Sequence, residues 1–272
     1  DYDSKFLFST IQTLSKDDVY TKFKKDEFDY IVIDEVHKAG AYSYQKIMDY
    51  FEPEFCLGMT ASPERPDGID IYELFDHNLA CEIRLKDALE EGLLCPFHYF
   101  GISDISVVTD EQMKARNISE EDFGKLTSDE RVRHVIEQAK YYGYSGDRVK
   151  GLVFCSRNRE CKELSAKFNA LGYRTIALSG DNKDKEREKA FERLAMNEED
   201  ATEEMQPLDY IFSVDILNEG VDIVEVNQVI MLRPTQSPIV FIQQLGRGLR
   251  KAEDKELSLI HISEPTRLRC IS

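Results

Sequence analysis

An acid pair directly follows a short apolar run near the start of the chain. The run FDYIVI at residues 28–33 is rich in β-branched and aromatic residues, which is typical of a strand buried on both faces of a parallel sheet. Asp34 and Glu35 follow it, at the strand end where ligands bind in open α/β sheets. An aspartate there can hold Mg²⁺ beside a phosphate, and a neighbouring glutamate can orient or deprotonate a water molecule. The alternative is that both acids only open the next loop.

Two arginines towards the other end of the chain could supply the complementary charge. The segment QQLGRGLR at residues 243–250 continues a predicted helix that begins at Ile239. Arg247 and Arg250 are three residues apart, so they would share one face of that helix. Guanidinium groups suit a phosphoryl group during transfer, whereas a solvated basic turn is the alternative interpretation. Together the two segments predict the two halves of a nucleotide-hydrolysing cleft, one from each of two domains.

Strand and helix patterns alternate around both segments, which predicts an α/β protein with two parallel-sheet domains in tandem. The first domain is residues 1–76, with strands at KFLFST, FDYIVID and EFCLGMT and helices at DDVYTKFKK and YSYQKIMDYF. The second is residues 148–256, with strands at GLVFC, RTIALS, LDYIFSV and VNQVIML and helices at 158–171, 184–196 and the arginine-bearing segment. Residues 77–147 between them are a predicted crossover and linker or insertion, with a strand at 96–102 and a helix at 128–142.

Several segments resemble, in the same order, the motifs of superfamily-two helicases of the bacterial DEAD/DEAH-box type. IDEVH resembles motif II, and further matches are FSTIQTLS at 8–15 (Ib), GMTASPERPDG at 58–68 (III), LVFCSRNRECKELS at 152–165 (IV), LSGDNKDKER at 178–187 (the segment after IV), VDILNEGVDI at 214–223 (V) and QQLGRGLR (VI). This series is more specific than any single motif. The resemblance implies two RecA-like domains and an ATP-dependent helicase or translocase that uses ATP and Mg²⁺.

The resemblance also implies roles for individual residues. Asp34 would hold Mg²⁺ through water, and Glu35 would be the catalytic base. Nucleotide contacts would come from Gly220, Asp222, Gln243, Arg247 and Arg250, with Arg250 as the arginine finger. His37 and Gln243 would communicate across the cleft, and Thr60 and Ser62 would link the nucleotide state to domain movement. Contacts to a nucleic-acid backbone would come from Thr10, Ser156, Ser179 and Gly180. Val214 and Gln244 depart from the family, which often has threonine and arginine there.

One expected motif has no match, because the run G-x-x-x-x-G-K-[ST] does not occur in the sequence. In the family this phosphate-binding loop lies well upstream of motif II. We therefore expect a first domain that is truncated at its N-terminus, and a chain that does not hydrolyse ATP by itself. A degenerate motor that serves as a non-catalytic nucleic-acid-binding scaffold is the alternative.

The last residues differ in kind from the rest of the chain. LSLIHISEPTR, which begins at Leu257, is the translation of a common transposon-based sequencing adapter. We therefore expect residues 257–272 to be an assembly artefact, and we exclude them from the predicted fold. A genuine strand at LSLIHI is the alternative.

Composition limits the class of protein and its partners. The chain is 42% hydrophobic and 32% charged, and none of its apolar runs approaches the roughly 20 residues that span a bilayer. We expect a cytoplasmic enzyme without membrane contact. The formal net charge of −17 is unusual for a nucleic-acid binder, so we expect weak, salt-sensitive binding that depends on the local field. DEVH with QxxGRxxR favours DNA as the partner by resemblance, and an RNA helicase or a restriction-type translocase remains an alternative.

Overall fold

The computed structural model describes residues 4–39, 42–61, 70–103, 119–215, 223–233, 238–252 and 255–264. The chain divides into two compact units, Asp1–Ile83 and Arg84–Ser272. Each unit has its own sheet, and every strand pair in both sheets is parallel. The predicted α/β class is thereby confirmed. The predicted crossover at 77–147 is divided, since its residues up to Ile83 belong to unit 1 and the rest to unit 2.

Unit 1 is built around two short strands. Strands β1 (Tyr30–Ile33) and β2 (Phe55–Gly58) pair in parallel, with Tyr30 opposite Phe55 and Ile33 opposite Gly58. The helical elements are α1 (Ile11–Leu14), α2 (Asp17–Tyr20) and α3 (Tyr42–Tyr50), with 3₁₀ turns at Val36–Lys38 and Tyr72–Phe75. The segment KFLFST, predicted as a strand, has no strand partner among its described residues, because the two-stranded sheet contains only β1 and β2.

Strand β1 is covered on one face only, which corrects the prediction that it is buried on both. Ile31 packs with a buried cluster that includes Phe23, Ile47 and Phe51. On the other face Tyr30 is 71% exposed and Val32 is 57% exposed. The run of apolar residues is typical of a strand that is buried on both faces. Successive side chains point to opposite faces of the sheet, however, and the described elements of unit 1 pack against only one of these faces.

Unit 2 contains one sheet of six strands in the order β3-β8-β7-β4-β6-β5. Its strands are β3 (Phe97–Ser103), β4 (Gly151–Phe154), β5 (Thr175–Leu178), β6 (Tyr210–Ser213), β7 (Gln228–Met231) and β8 (Ser258–Glu264). Its helices are α4 (Leu85–Glu90), α5 (Glu120–Leu126), α6 (Asp129–Tyr142), α7 (Asn158–Ala170), α8 (Asp184–Ala195) and α9 (Pro238–Gly248), with a 3₁₀ turn at Glu198–Asp200. No helix in the described part of the chain is both long and apolar enough to cross a bilayer.

Apolar side chains form two clusters on this sheet, so helices cover both of its faces. One cluster combines strand residues with α8 and α9, and includes Leu194, Phe241 and Leu245. The other combines strand residues with α6 and α7, and includes Ile136 and Phe168. Every residue of β4, β6 and β7 is buried, as expected for the inner strands of a parallel sheet between two helical layers.

Serine caps set the starts of two of these helices. Ser119 and Ser128 precede α5 and α6 in extended conformation, and each hydroxyl accepts a hydrogen bond from the backbone N–H three residues further on. Helix α6 then buries Val132, Ile136 and Ala139. The helix predicted at 128–142 therefore belongs to the core of unit 2.

Strand β8 lies inside the sheet, between β3 and β7, although residues 257–272 were excluded from the predicted fold. Leu259, Ile260 and Ile262 are buried there, and Ile260 pairs with Tyr99 on one side and Val229 on the other. A run of alternating apolar residues fits between two parallel strands whatever its origin. The conformation therefore agrees with the strand alternative, while the adapter origin of these residues stays a prediction.

Candidate functional site

The predicted acid pair stands directly after β1. Asp34 is exposed, and its carboxylate accepts a hydrogen bond of 2.9 Å from the backbone N–H of Glu35. Glu35 has φ 51° and ψ 45°, the left-handed region, which is uncommon for a residue other than glycine. Such conformations concentrate at functional sites. The turn that follows the strand is therefore held in an unusual shape at the position where the sequence predicts chemistry.

Histidine and threonine from two different motifs meet beside this turn. Backbone hydrogen bonds from Met59 N–H to the carbonyl of Ile33, and from Val36 N–H to the carbonyl of Met59, bring the two strand ends together. Nδ1 of His37 lies 3.0 Å from Oγ1 of Thr60 and 3.2 Å from Oε2 of Glu35. The His37 side chain is only 8% exposed. The structure thus connects Glu35, His37 and Thr60, and the predicted partner Ser62 lies outside the described residues.

The acid pair is compatible with a magnesium ion that depends on few protein ligands. In the described ranges no three His, Cys, Asp or Glu side chains come close enough together to form a metal cluster. Mg²⁺ usually keeps several waters and binds one or two carboxylates together with substrate phosphates. An exposed carboxylate at a strand end, as Asp34 has, fits that mode of binding.

In unit 2, the predicted phosphate-contacting residues lie on and just after helix α9. Gln243 and Arg247 are four residues apart on the helix and both are partly exposed, while Gln244 and Leu245 are buried. Helix α9 ends at Gly248, so exposed Arg250 follows it.

The position of Arg250 corrects the prediction that both arginines share one helix face. The backbone of Gly248 passes so close to the sheet that an added Cβ would meet Ser258 Oγ at 2.9 Å and Val229 Cγ2 at 3.0 Å. Because Gly248 has no side chain, the end of α9 can approach β7 and β8 closely, and the helix ends at this residue. Arg250 lies beyond that end, so it does not share a helix face with Arg247.

Three predicted nucleic-acid contacts share one edge of the sheet in unit 2. Ser156 follows β4, and Ser179 and Gly180 follow β5, so all three stand at carboxyl ends of parallel strands. Gly180 is exposed, and its carbonyl accepts a hydrogen bond of 2.8 Å from Arg187. The backbone N–H of Ser179 donates to Asn182 Oδ1 at 2.8 Å. This edge is the one where ligands bind in open α/β sheets.

The other predicted contacts lie elsewhere or outside the described residues. Thr10 is exposed in unit 1, immediately before α1, and its Oγ1 donates to Thr13 Oγ1 at 3.1 Å. Gly220 and Asp222 lie outside the residues that the structure describes. Val214 is partly buried against one of the apolar clusters of unit 2, so its side chain serves packing.

The sequence did not predict a buried ion pair that contacts Ser156. Arg131 and Glu160 are each 1% exposed, and their side chains meet at 3.1 Å. Glu160 Oε2 accepts hydrogen bonds from the hydroxyl and the backbone N–H of Ser156, at 2.6 and 2.9 Å. Arg131 also donates to the carbonyls of Leu126 and Leu232, at 2.7 and 3.2 Å. The pair is separated by 29 residues in sequence, so no local pattern could have revealed it.

Comparison with known proteins gives two successive matches to family models. Residues 1–65 match the family described as Type III restriction enzyme, res subunit, and residues 130–252 match the helicase conserved C-terminal domain. These matched ranges contain the segments that resemble motifs Ib and II and motifs IV to VI, in the predicted order.

Individual relatives agree with the family models. IRC3 of Saccharomyces cerevisiae, named as an ATP-dependent helicase, is 22% identical over 261 residues, which are 93% of this chain and 36% of IRC3. The type I restriction enzyme EcoAI endonuclease subunit of Escherichia coli is 24% identical over 251 residues, 83% of this chain and 30% of that subunit. A fragment structure described as an HsdR subunit of a type I restriction enzyme from Vibrio vulnificus YJ016 has a TM-score of 0.70 at 26% identity, covering 90% of this chain and 45% of that one.

The chain therefore spans about a third of the length of these two curated relatives. The two family models match successive parts of the sequence, and the HsdR structure shares the fold of most of it. With the motif order and the parallel sheets, these findings show that the chain belongs to the superfamily-two helicases.

Proposed function

We propose that this chain carries the motor elements of an ATP-driven helicase or translocase that acts on DNA. The contact among Glu35, His37 and Thr60 carries the proposal. It joins the acid pair after β1 to the segment after β2. Such a connection is needed if the state of the nucleotide is to be transmitted from one segment to the other. A solvated loop of two acids would not need a buried histidine between its glutamate and a threonine from the next strand.

The chemistry proposed for unit 1 is activation of water beside a phosphate. Asp34 would hold Mg²⁺, which would supply positive charge next to the phosphate oxygens. Glu35 would accept a proton from the attacking water. His37 faces both Glu35 and Thr60, so a change at Glu35 reaches the segment after β2 through one side chain.

In unit 2, we propose that Arg247 and Arg250 contact the γ-phosphate and that Gln243 supports them. A guanidinium group offers forked donors that match phosphate oxygens, and an arginine finger contributes about 10³-fold or more in rate. Arg250 is exposed and follows the last residue of α9. Its exposure supports Arg250 as the finger. Gly220 and Asp222 are proposed as further nucleotide contacts on the basis of the motif alone.

DNA is the proposed track. Ser156, Ser179 and Gly180 share one sheet edge, where hydroxyl and backbone groups can contact phosphates without a large positive charge. Two of the relatives are named as restriction-enzyme subunits, which favours a restriction-type translocase over an RNA helicase as the second candidate. Because the chain has a formal net charge of −17, we expect weak binding to DNA that decreases with salt.

Replacement of Glu35 by glutamine tests the catalytic part in the whole gene product that contains this chain. Glu35→Gln removes the base and keeps an oxygen that can face His37. We expect ATP turnover in the presence of single-stranded DNA to fall by about 10²-fold or more. Glu54→Gln, a change of the same type at an exposed position before β2, should leave turnover unchanged. Turnover at the parental rate in Glu35→Gln would refute the assignment.

The track is tested in the same assay. DNA and RNA of equal length and sequence are compared for their stimulation of ATP turnover, and stronger stimulation by RNA would refute DNA as the track. The 272-residue chain without further sequence should show no ATP turnover, because it contains no G-x-x-x-x-G-K-[ST] loop.

A further inference from the structure

Four strand ends of unit 2 lie in one row, at the edge of the sheet that holds three of the proposed DNA contacts. The sheet order there is β7-β4-β6-β5. Phe154 at the end of β4 pairs with Met231 of β7 and with Ser213 of β6, and Ser213 pairs with Leu178 of β5. Two residues beyond each of these positions, the row across the edge reads Arg233, Ser156, Asp215 and Gly180.

Arg233 adds a guanidinium group to this row. It lies between the segments that resemble motifs V and VI, outside both. The backbone N–H of Leu232 donates to the carbonyl of Phe154 at 2.8 Å, so β7 and β4 stay in register beyond their last paired residues. The backbone of Arg233 therefore lies beside that of Ser156, one of the proposed phosphate contacts.

The side chain of Arg233 crosses the end of β4. Its Nη2 lies 2.8 Å from Oδ1 of Asp215, which follows β6. Strand β4 lies between β6 and β7, and neighbouring strands are about 4.8 Å apart. The ion pair therefore spans two strand spacings, so the guanidinium group lies across the edge where phosphates are proposed to bind.

Asp215 holds this guanidinium group incompletely. One Nη donates to one carboxylate oxygen, although a guanidinium group can form two parallel hydrogen bonds with a carboxylate or a phosphate. Nε of Arg233 is buried and has no hydrogen-bond partner in the part of the chain that the structure describes. Buried donors are usually satisfied, so Arg233 retains a donor for a further oxygen atom.

The two partners differ in how far they are exposed. The side chain of Asp215 is 67% exposed, so water competes for its oxygens, and ion pairs of exposed carboxylates are weak. The side chain of Arg233 is 16% exposed, so packing holds it at the edge. A phosphate offers a guanidinium group the same charge-assisted contact and more oxygens than the single one that Asp215 supplies. A phosphate at this edge can therefore take the place of the carboxylate.

From this arrangement we propose that Arg233 binds a backbone phosphate of the DNA track, and that Asp215 occupies the guanidinium group until the phosphate displaces it. The inference rests on the proposed function, because it requires a nucleic acid at this sheet edge. It gives the edge a cation, and it makes Asp215 a competitor of the track for that cation.

Two substitutions with opposite expected effects test the proposal. Binding of the 272-residue chain to a labelled single-stranded dT oligomer is measured by fluorescence anisotropy at several low salt concentrations. Arg233→Gln should weaken binding by about fivefold or more, and should reduce the slope of log affinity against log salt by about 0.7, the value for one phosphate contact on a single strand. Asp215→Asn should strengthen binding by about threefold or more, because a neutral amide competes less well for a guanidinium group.

Two controls separate this exchange from a general change of charge. Asp181→Asn removes an exposed carboxylate next to Gly180 at the same edge, and it should strengthen binding less than Asp215→Asn does. In the double variant with Arg233→Gln, the gain from Asp215→Asn should vanish, because no guanidinium group remains to be released. Equal gains in Asp181→Asn and Asp215→Asn, or a gain that persists in the double variant, would overturn the proposal.

Thermal unfolding of each variant separates lost binding from lost folding. If Arg233→Gln does not fold, Asp215→Asn decides the question, since the side chain that it changes is mostly exposed. Weaker or unchanged binding in Asp215→Asn would then overturn the proposal.

A parallel titration with an rU oligomer distinguishes failure of this inference from failure of the proposed function. Tighter binding to RNA with the same order of variants would refute DNA as the track and would support the contact of Arg233 with a phosphate. Binding of DNA with equal affinity in the parent and Arg233→Gln would refute that contact alone. Absence of binding to both oligomers would refute the contact and the track together.

Discussion

At the scale of single residues, buried charge is the feature with the largest expected effect. Arg131 and Glu160 hold α6, the segment after β4 and the end of β7 in one network. Each partner satisfies the other, so removal of only one leaves a charge in the interior. Ser156, a predicted DNA contact, depends on Glu160 for the position of both its hydroxyl and its N–H.

The first prediction concerns this pair. Arg131→Met should lower the free energy of unfolding of unit 2 by about 3–5 kcal/mol, because it leaves Glu160 charged and buried. Arg159→Met is the matched control, since Arg159 pairs with Glu120 on the surface, where ion pairs contribute about 0–1 kcal/mol. Urea unfolding followed by circular dichroism measures both. Equal losses in the two variants would mean that the buried ion pair contributes no more to the free energy of unfolding than the surface ion pair does.

At the scale of secondary-structure elements, the ring of Tyr210 lies so close to the backbone of Gly151 that it determines the residue type at the start of β4. A Cβ added to Gly151 would lie 2.3 Å from two ring carbons of Tyr210. That ring cannot move aside easily, because its hydroxyl donates to Gln228 Oε1 at 2.7 Å and the ring makes an edge-to-face contact with Phe168. The strand therefore requires glycine at this position.

The second prediction follows from this contact. Gly151→Ala should lower the free energy of unfolding by about 1–3 kcal/mol through overpacking. Gly124→Ala in α5 is the control, since an added Cβ there has nothing within 4 Å and alanine favours a helix by about 0.5–1 kcal/mol. Both are measured by urea unfolding. A gain of stability in Gly151→Ala would show that Tyr210 relaxes without cost.

Strand β8 presents a second problem at this scale, a histidine in the core. His261 is 1% exposed, and neither ring nitrogen has a hydrogen-bond partner among the residues that the structure describes. Its neighbours include the rings of Phe100 and Tyr142. Burial lowers the pKa of His261 to about 4 from 6.5. Unsatisfied buried polar groups are rare in proteins, so β8 fits its place in the sheet by shape better than by chemistry. The adapter origin of these residues stays a prediction.

The third prediction concerns acid sensitivity. The unfolded chain binds a proton at His261 below pH 6.5, whereas the folded chain does so only near pH 4. The free energy of unfolding should therefore decrease as the pH is lowered from 6.5 to 4. The loss amounts to about 3.4 kcal/mol at most, given about 1.36 kcal/mol per pKa unit. His261→Leu should remove it and raise stability at neutral pH. His98→Leu, at an exposed position on neighbouring β3, should keep the parental pH dependence of thermal unfolding. An unchanged pH profile in His261→Leu would contradict the assignment.

At the scale of the whole molecule, the two units differ in how completely they are packed. Both apolar clusters of unit 2 use only residues after Ile83, and they cover both faces of a six-stranded sheet. The described residues of unit 1 form two strands, and one sheet face leaves Tyr30 and Val32 exposed. An isolated two-stranded sheet is marginal in water.

The fourth prediction is that unit 2 folds on its own. A polypeptide of residues 84–272 should unfold in one cooperative transition within a few degrees of the corresponding transition in the whole chain. Residues 1–83 alone should show no cooperative transition and should bind a hydrophobic dye, because apolar side chains remain exposed. Calorimetry and dye fluorescence measure these outcomes. Loss of cooperativity in residues 84–272 would show that the boundary at Arg84 is misplaced.

Much of the fold of unit 2 was predictable, since its helices and strands have clear periodicity. The predicted strand at LDYIFSV and the helix at 184–196 differ from β6 and α8 only at their ends. The site was predictable as residue types at strand ends, and the proximity of His37 to Thr60 agrees with their predicted common role. That role, like those of the other site residues, stays a prediction.

The amino-acid sequence by itself determined the α/β class, the strand end that bears the acid pair, and the resemblance to the superfamily-two helicases. These features depend on local periodicity and on short motifs. Tertiary structure alone decided that β1 has one uncovered face, that β8 lies inside the sheet, that α9 ends before Arg250, and that Arg131 meets Glu160. Each of these depends on contacts between residues far apart in the chain, and no local pattern encodes such contacts.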